Sequence, residues 1–403
     1  MGNCLIAQSG GPTAVINATL AGIVKANQLN PIYDRVYGGL NGIEGVMKER
    51  LVDLTAMSDY DNKLLQQTPS SALGSCRYKL KRDKAEDFET IFKVLEKYDV
   101  DTMFYIGGND SMDTVYALDE YAKANGIANR RFVGCPKTID NDLVVTDHTP
   151  GFPSAAKFIA TTVQQTWLDM NVYTRQEIFI LETMGRDAGW LAASSCVTGK
   201  VDFLILPEEP FDKEHFIDLV REQVGRTNKC YIVISEGARY ADGTYLAAAE
   251  AKNDGFGHAK LGGAGMALKN ILESSGVTER AKVQDLATLQ RACASCQSLA
   301  DVKESLRLGM SAHMHSMDPS FTGMMVGIKR RAVVPYYDAQ FITVPASEVA
   351  NKVKAFPKEW ILPNYMGISE AGLEYFRPLI KGEPDQIFGA DGLPAYLQPF
   401  YMK

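Results

Sequence analysis

The 403-residue chain contains neither a GxxxxGK[ST] loop nor a GxGxxG fingerprint, so it offers no P-loop for a nucleoside triphosphate and no dinucleotide cradle. Long apolar runs are missing as well. No segment approaches the length of a membrane helix, and Met1-Gly-Asn-Cys-Leu-Ile-Ala carries no basic leader, which points to a cytoplasmic protein with no membrane partner. Cysteine is sparse: seven residues (Cys4, Cys76, Cys135, Cys196, Cys230, Cys293 and Cys296) lie scattered, without the density of a disulfide framework, so reduced thiols are expected. Cys293-Ala-Ser-Cys296 is a single CxxC with no second pair and no nearby histidine, and reads as two small residues on a helix rather than half a zinc site. His313 and His315 likewise read as helix-surface residues, not ligands. There is no excess of positive charge. A net charge of −7 argues against nonspecific nucleic-acid binding, although a basic pocket for a small phosphate can sit inside an acidic protein.

What is present suits a globular enzyme with two packed cores: the chain is 46% hydrophobic and 23% charged. Short apolar runs bounded by Gly, Pro or polar residues read as buried strands at Cys4–Ala7, Thr102–Ile106, Phe132–Cys135, Glu177–Leu181, Phe203–Leu206 and Tyr231–Ile234. Helical spacing and end signals predict helices over Thr13–Gln28, Asp110–Asn125 with Gly126 as stop, Pro153–Met170 and Lys260–Ser274. Such alternation predicts α/β architecture, with parallel sheets covered by helices on both faces. The stretch from Asp318 to about Ile361 has four prolines and no clear helical period, and is expected to be an insertion packed over the core or an oligomer contact.

The residues that carry chemistry fall at predicted strand ends, where open α/β sheets place their ligands. Cys135-Pro-Lys-Thr-Ile-Asp-Asn-Asp142 sets Asp140 and Asp142 two residues apart, just after Lys137 and Thr138. On an extended segment Thr138, Asp140 and Asp142 share one face. A carboxylate there can take a proton from a hydroxyl while the ammonium neutralises a phosphate under attack. A solvated Asp-Asn-Asp turn is the plain alternative. Glycine pairs in Ser9-Gly-Gly-Pro12 and Gly107-Gly-Asn-Asp-Ser111 precede predicted helices and let backbone N–H groups approach an anion. Met184-Gly-Arg186 and Ser235-Glu-Gly237 follow two further strands. Several such loops together favour a phosphate-handling enzyme.

In this order, and together with Gly74-Ser-Cys-Arg77 and Thr288-Leu-Gln-Arg291, these motifs resemble the phosphofructokinase family over most of the chain up to about Arg330. The resemblance implies two similar three-layer α/β domains with largely parallel sheets and an active site in the cleft between them. Residues 1–146 plus about 290–330 would form the phosphoryl-donor domain, and 147–289 plus the C-terminal segment the fructose 6-phosphate domain. It also implies magnesium-dependent phosphoryl transfer to the 1-hydroxyl of fructose 6-phosphate, in a homodimer or homotetramer. ATP-dependent members generally have glycine where this chain has Asp110 and Lys137. A carboxylate at the first position would repel the α-phosphate of ATP, and an ammonium at the second suits a small leaving anion, so the sequence is similar to the pyrophosphate-dependent members.

Carried over residue by residue, the resemblance makes Asp140 the general base, with Thr138, Ile139 and Asp142 beside the substrate and Lys137 at the transferring phosphate. Gly11, Arg77, Gly108, Asn109, Asp110 and Ser111 would hold pyrophosphate. Met184, Gly185, Arg186, Glu236, Lys282 and Arg291 would hold the sugar phosphate. Asn109 stands where many members carry a magnesium-proximal aspartate, and would orient the metal through a neutral oxygen. Thr288 replaces a frequent histidine, Lys282 an arginine that reaches a neighbouring subunit's site, and Glu177 another arginine, with Arg175 close by. The alternatives are an ATP-dependent phosphofructokinase and a noncatalytic sugar-phosphate sensor on the same fold.

Overall fold

The apolar runs become strands because their β-branched and aromatic residues fill a sheet buried on both faces. In the computed structural model, which describes residues 2–247, 262–331 and 337–402, the N-terminal half supplies β1 (Asn3–Gln8), β2 (Val36–Gly39), β3 (Leu51–Asp53), β4 (Val100–Gly107) and β5 (Arg131–Pro136). Four more strands follow: β6 (Glu177–Thr183), β7 (Phe203–Ile205), β8 (Lys229–Ser235) and β9 (Ala281–Asp285). Near the C-terminus come β10 (Met324–Arg330) and β11 (Ala339–Pro345). One sheet has the order β11-β10-β5-β4-β1-β2-β3, parallel except for its two edge strands; the other, β7-β8-β6-β9, is wholly parallel.

Side-chain alternation along each strand divides both sheets between two cores. On the first sheet, Cys4, Ile6, Phe104 and Val133 meet the helices Ile16–Leu29 and Leu299–His315, while Leu5, Met103, Tyr105 and Phe132 meet Ala85–Lys97 and Asn109–Ala124. On the second, Phe179, Leu181, Tyr231 and Val233 face the helix Phe152–Met170, and Ile178, Ile180, Ile232 and Ile234 face Lys213–Thr227 and Ala264–Ser274. The result is two three-layer α/β units, as expected.

The differences from expectation are local. The first predicted helix starts at Ile16 rather than Thr13, because Ser9–Val15 stays irregular along the site. Lys260 lies outside the described residues, and the helix predicted from it begins at Ala264. Within Asp318–Ile361, β10 pairs with β5 and β11 closes the edge of the first sheet. The C-terminal segment is shared between the units. Phe356, Ile368, Phe376 and Leu379 enter the second core, whereas Leu397 is buried in the first and the Phe400 N–H donates to the Ala72 carbonyl at 2.9 Å. His313 is a correction: it is fully buried against the Tyr33 ring, and burial lowers its pKa to about 4. It sits on the face of its helix that packs on Ile16–Leu29, so the ring serves the core. Cys293 follows a short helix and Ala294–Cys296 forms one 3-10 turn, so the CxxC straddles a break rather than riding a helix.

The helix Leu299–His315 ties the units together. It lies so close to Ile16–Leu29 that a Cβ on Gly309 would fall 2.1 Å from the Thr19 carbonyl oxygen. Asp301 accepts from the Gly151 and Ser154 N–H groups, both at 3.0 Å, at the start of Phe152–Met170. One turn on, Glu304 meets His148 Nε2 at 2.6 Å, while His148 Nδ1 meets Asp147 at 2.8 Å. Burial opposes a charged ring, but Glu304 and Asp147 outweigh it and raise the His148 pKa to about 9. Because that value lies above the usual histidine range, this stabilisation is complete below about pH 6.5 and is lost as pH rises toward 9. Urea melts of wild type should therefore weaken across that interval. His148→Leu should cost roughly 3–5 kcal/mol at pH 6 and show a flatter profile; equal pH slopes in the two proteins would exclude the triad as the cause.

Candidate active site

Five of the loops singled out in the sequence leave the carboxyl end of a strand: Ser9–Pro12 after β1, Gly108–Ser111 after β4, Lys137–Asp142 after β5, Met184–Arg186 after β6 and Glu236–Gly237 after β8. All five border one cleft of about 250 Å³ between the two units, together with Arg77 and Arg291.

At one end three cations gather on the first glycine loop. Lys137 Nζ donates to the Gly11 carbonyl at 2.6 Å, and a Cβ on Gly11 would lie 3.2 Å from Arg291 Nη1 and 4.0 Å from Arg77 Nη2. The Lys137 side chain is only 3% exposed. Burial lowers its pKa to about 8; Asp140 opposes the fall, while Arg291 and Arg77 add to it. Such a cluster of desolvated charge is a receptor for a compact anion. Arg291, expected to hold the sugar phosphate, lies beside the Ser9–Pro12 loop. Gly108 and Ser111 open the helix Asn109–Ala124, and Asp110 in its first turn pairs with Lys79 at 3.4 Å. Asn109 borders the cleft, but its carboxamide is taken up by hydrogen bonds with the backbone of Asn351 and Lys352.

Carboxylates occupy the centre. The Thr138 hydroxyl accepts from the Asp140 N–H at 3.1 Å, while Ile139 turns into the second core. Burial raises the Asp140 pKa despite the nearby Arg186 and Lys137. Burial and then Asp140 raise Asp142 to about 7, and burial and Asp140 do the same to Glu236. Burial thus raises the pKa of all three acids, to about 7 for Asp142 and Glu236, and a carboxylate of raised pKa is a stronger proton acceptor during reaction. On the far wall the Met184 N–H donates to Gln290 at 3.1 Å and the Gly185 N–H to Glu236 at 3.3 Å. Gly185 has φ +123°, a conformation closed to other residues, and this bends the loop so that Arg186 faces Asp140.

Lys282 lies apart from this chain's own cleft. It lies near the start of β9 and is paired with Glu177 at the amino edge of the second sheet, the edge opposite the cleft. Four other contributors escaped the sequence reading. Lys79 was within reach of it, being two residues beyond Arg77 and so on the same side of an extended segment. Gln290 sat unremarked inside the motif that ends at Arg291. Asn351 and Val353 border the adjoining cavity of about 280 Å³ with Lys79 and Asp187, and nothing local announces them.

This geometry agrees with what the chain is similar to. The sequence profile described as Phosphofructokinase matches residues 3–315. The pyrophosphate-fructose 6-phosphate 1-phosphotransferase of Xanthomonas campestris pv. campestris is 39% identical, over 98% of this chain and 96% of that protein. The protein of the same name from Halomonas elongata is 38% identical over 97% of this chain and 94% of its own length. Among solved structures, the pyrophosphate-dependent phosphofructokinase of Nitrosospira multiformis superposes with a TM-score of 0.88 at 32% identity, covering 98% of this chain and 96% of that one. With its ordered motifs meeting in one cleft and its likeness running along almost the whole length, the chain belongs to the phosphofructokinase family.

Proposed function

We propose that this cleft transfers a phosphoryl group reversibly between pyrophosphate and the 1-hydroxyl of fructose 6-phosphate, giving fructose 1,6-bisphosphate and phosphate. The observation that carries the reading is the presence in one cleft of Lys137, buried over the Gly10-Gly11 loop, and of Asp110 on the loop after β4. The ammonium supplies charge for a compact leaving anion, and the carboxylate stands where a nucleotide would extend. Relatives similar along nearly their whole length carry the same activity in their names.

The mechanism follows from position and charge, as suits a loose, in-line phosphoryl transfer. Pyrophosphate lies across Gly11, Arg77, Gly108 and Ser111, with Lys137 and Arg291 against the phosphate that departs. The sugar lies toward Met184, Gly185, Arg186 and Glu236. Asp140 takes the proton of the 1-hydroxyl as its oxygen attacks phosphorus, and Arg186 balances the charge that Asp140 and Glu236 bring together. Oxygen donors for magnesium are at hand: Asp142 Oδ1 is buried without a hydrogen-bond partner, and Asp110 and Asp140 line the same space. Asn109, engaged with the backbone of 351–352, is replaced by these carboxylates in that role. Among the described residues no cluster of three or more His, Cys, Asp or Glu forms a ready cage. Asp142, Asp140 and Asp110 would hold the magnesium ion, and it would supply neutralisation of the pyrophosphate charge. Lys282 lies away from this chain's own sugar end, which supports completion of the pocket by a second copy in a homodimer or homotetramer. No described helix is long and apolar enough to cross a membrane, in keeping with work in the cytoplasm.

Initial rates with fructose 6-phosphate, magnesium and either pyrophosphate, ATP or no donor test the reading directly: pyrophosphate should be strongly preferred, and a preference for ATP would overturn it. Asp110→Gly should create or improve ATP binding, and Asp110→Gly/Lys137→Gly should shift the ratio of catalytic efficiencies toward ATP even as absolute rates fall. Asp140→Asn should lower turnover roughly a hundred- to ten-thousand-fold while calorimetry still detects fructose 6-phosphate binding. Near-normal turnover in that variant would remove Asp140 from the mechanism. Arg291→Ala should raise the Michaelis constant for pyrophosphate at least as much as that for fructose 6-phosphate; an effect confined to the sugar would return Arg291 to the other end of the cleft.

A further inference from the structure

A short segment beyond the part matched by the family profile runs behind the cleft and is hydrogen-bonded to two of its loops and to the second unit. Asn351 and Lys352 hold the Asn109 carboxamide through their backbone. The Lys354 N–H donates to the Asp142 carbonyl at 2.7 Å, and its carbonyl accepts from Trp190 Nε1 at 2.9 Å. The Phe356 N–H and the Gly189 N–H both donate to one oxygen of Glu208, each at 2.8 Å. The donor loop, the carboxylate loop and the second unit are therefore stitched to one strand of chain.

Within it, Lys354 Nζ lies 5.0 Å from the centre of the Trp190 ring and sends its donors to three neutral oxygens: Asn141 Oδ1 at 3.2 Å, the Thr146 carbonyl at 3.1 Å and the Asp147 carbonyl at 2.8 Å. Three acceptors match the donor capacity of an ammonium. Asn141 stands between Asp140 and Asp142, is fully buried, and has φ +55°. Its amide donates to the Tyr375 hydroxyl at 2.9 Å, which in turn donates to the Asp147 carbonyl at 2.7 Å. Asn141 is thus clamped at both ends of its carboxamide, on the side away from the cleft, while both flanking carboxylates line the cleft.

We propose that Lys354 is a positioning residue for the phosphoryl transfer: its ammonium locks Asn141, and through it fixes the aim of Asp140 and Asp142. This rests on the phosphotransferase reading above. The charge is suited to the task, since two like-charged carboxylates two residues apart repel, and a fixed cation behind their shared turn opposes their spreading. A neutral residue of the same length would fill the space and leave the Asn141 carboxamide held only through Tyr375.

Lys354→Met, Lys354→Arg and Tyr375→Phe, alone and with Asp140→Asn, provide the test, using the full chain with pyrophosphate, fructose 6-phosphate and magnesium. Lys354→Met should lower kcat roughly ten- to a hundredfold, the scale of a misplacement of about 1 Å, with both Michaelis constants little changed. Lys354→Arg should recover part of the loss. Because Lys354 acts through Asp140, the same change should cost far less in the Asp140→Asn background. A wild-type kcat in folded Lys354→Met, or a loss of equal size with and without Asp140, would overturn the proposal. Should Lys354→Met fail to fold, Tyr375→Phe still reports on the other end of the clamp: a lowered kcat at constant Michaelis constants supports the proposal, and an unchanged kcat overturns it. Wild type inactive with every donor would instead sink the phosphotransferase reading.

Discussion

Burying Lys137 beside Asp140 is the constraint around which this molecule is organised. A desolvated ammonium and a desolvated carboxylate are each costly alone, and together they are tolerated only where further groups complete the balance. Here the carboxylate side is enlarged by Asp142 and Glu236, and the cationic side by Arg77, Arg291 and Arg186. Burial moves the two kinds of group toward each other, lowering the pKa of Lys137 to about 8 and raising Asp142 and Glu236 to about 7. A site poised in this way exchanges protons and neutralises phosphate with little rearrangement, which is what a reversible transfer between phosphates of similar energy requires.

Holding so many charges in register demands rigid supports on both sides. The two parallel sheets present their carboxyl edges to the same cleft, so every charged loop is anchored by a strand before it and, in most cases, a helix after it. The helix Leu299–His315 joins the units through Asp301 and Glu304, both acidic and both buried, each meeting a group at or just before the start of the second unit. The segment 351–356 does the same from behind. The family resemblance is strongest in the loops, yet two of the groups that fix them, Lys354 and Tyr375, lie beyond residue 315. Chemistry and support are thus carried by different stretches of the chain.

In the proposed reading, side-chain charge on the loops after β1, β4 and β5 selects the phosphoryl donor. Asp110 stands in the first turn of a helix whose N-terminus would otherwise welcome phosphate, and Lys79 pairs with it from the neighbouring segment. The helix dipole, the carboxylate and the lysine partly cancel. The dominant positive charge is left at Lys137 and the two arginines, one loop away and at the scale of a compact anion rather than an extended nucleotide.

The α/β class, six of the strands, the carboxylate loop and the glycine loops were legible in the sequence, because apolar runs and Asx or glycine signals are local and act over a few residues. What was not legible depended on groups far apart in the chain. β9 reads as polar because it lies at a sheet edge, and β10 and β11 acquire their meaning only by pairing beside β5. His313 looked like a surface residue until its helix was laid against Ile16–Leu29. Arg291 could be placed in the site from its motif, but not over Gly11, since that required the two units to close on each other. Lys354 carries no motif at all; it is made significant by Asn141, more than two hundred residues earlier. The sequence alone determined which chemical groups were available and which local elements would carry them. The tertiary structure decided their partners and their protonation, because desolvation and charge pairing depend on distance in space rather than along the chain.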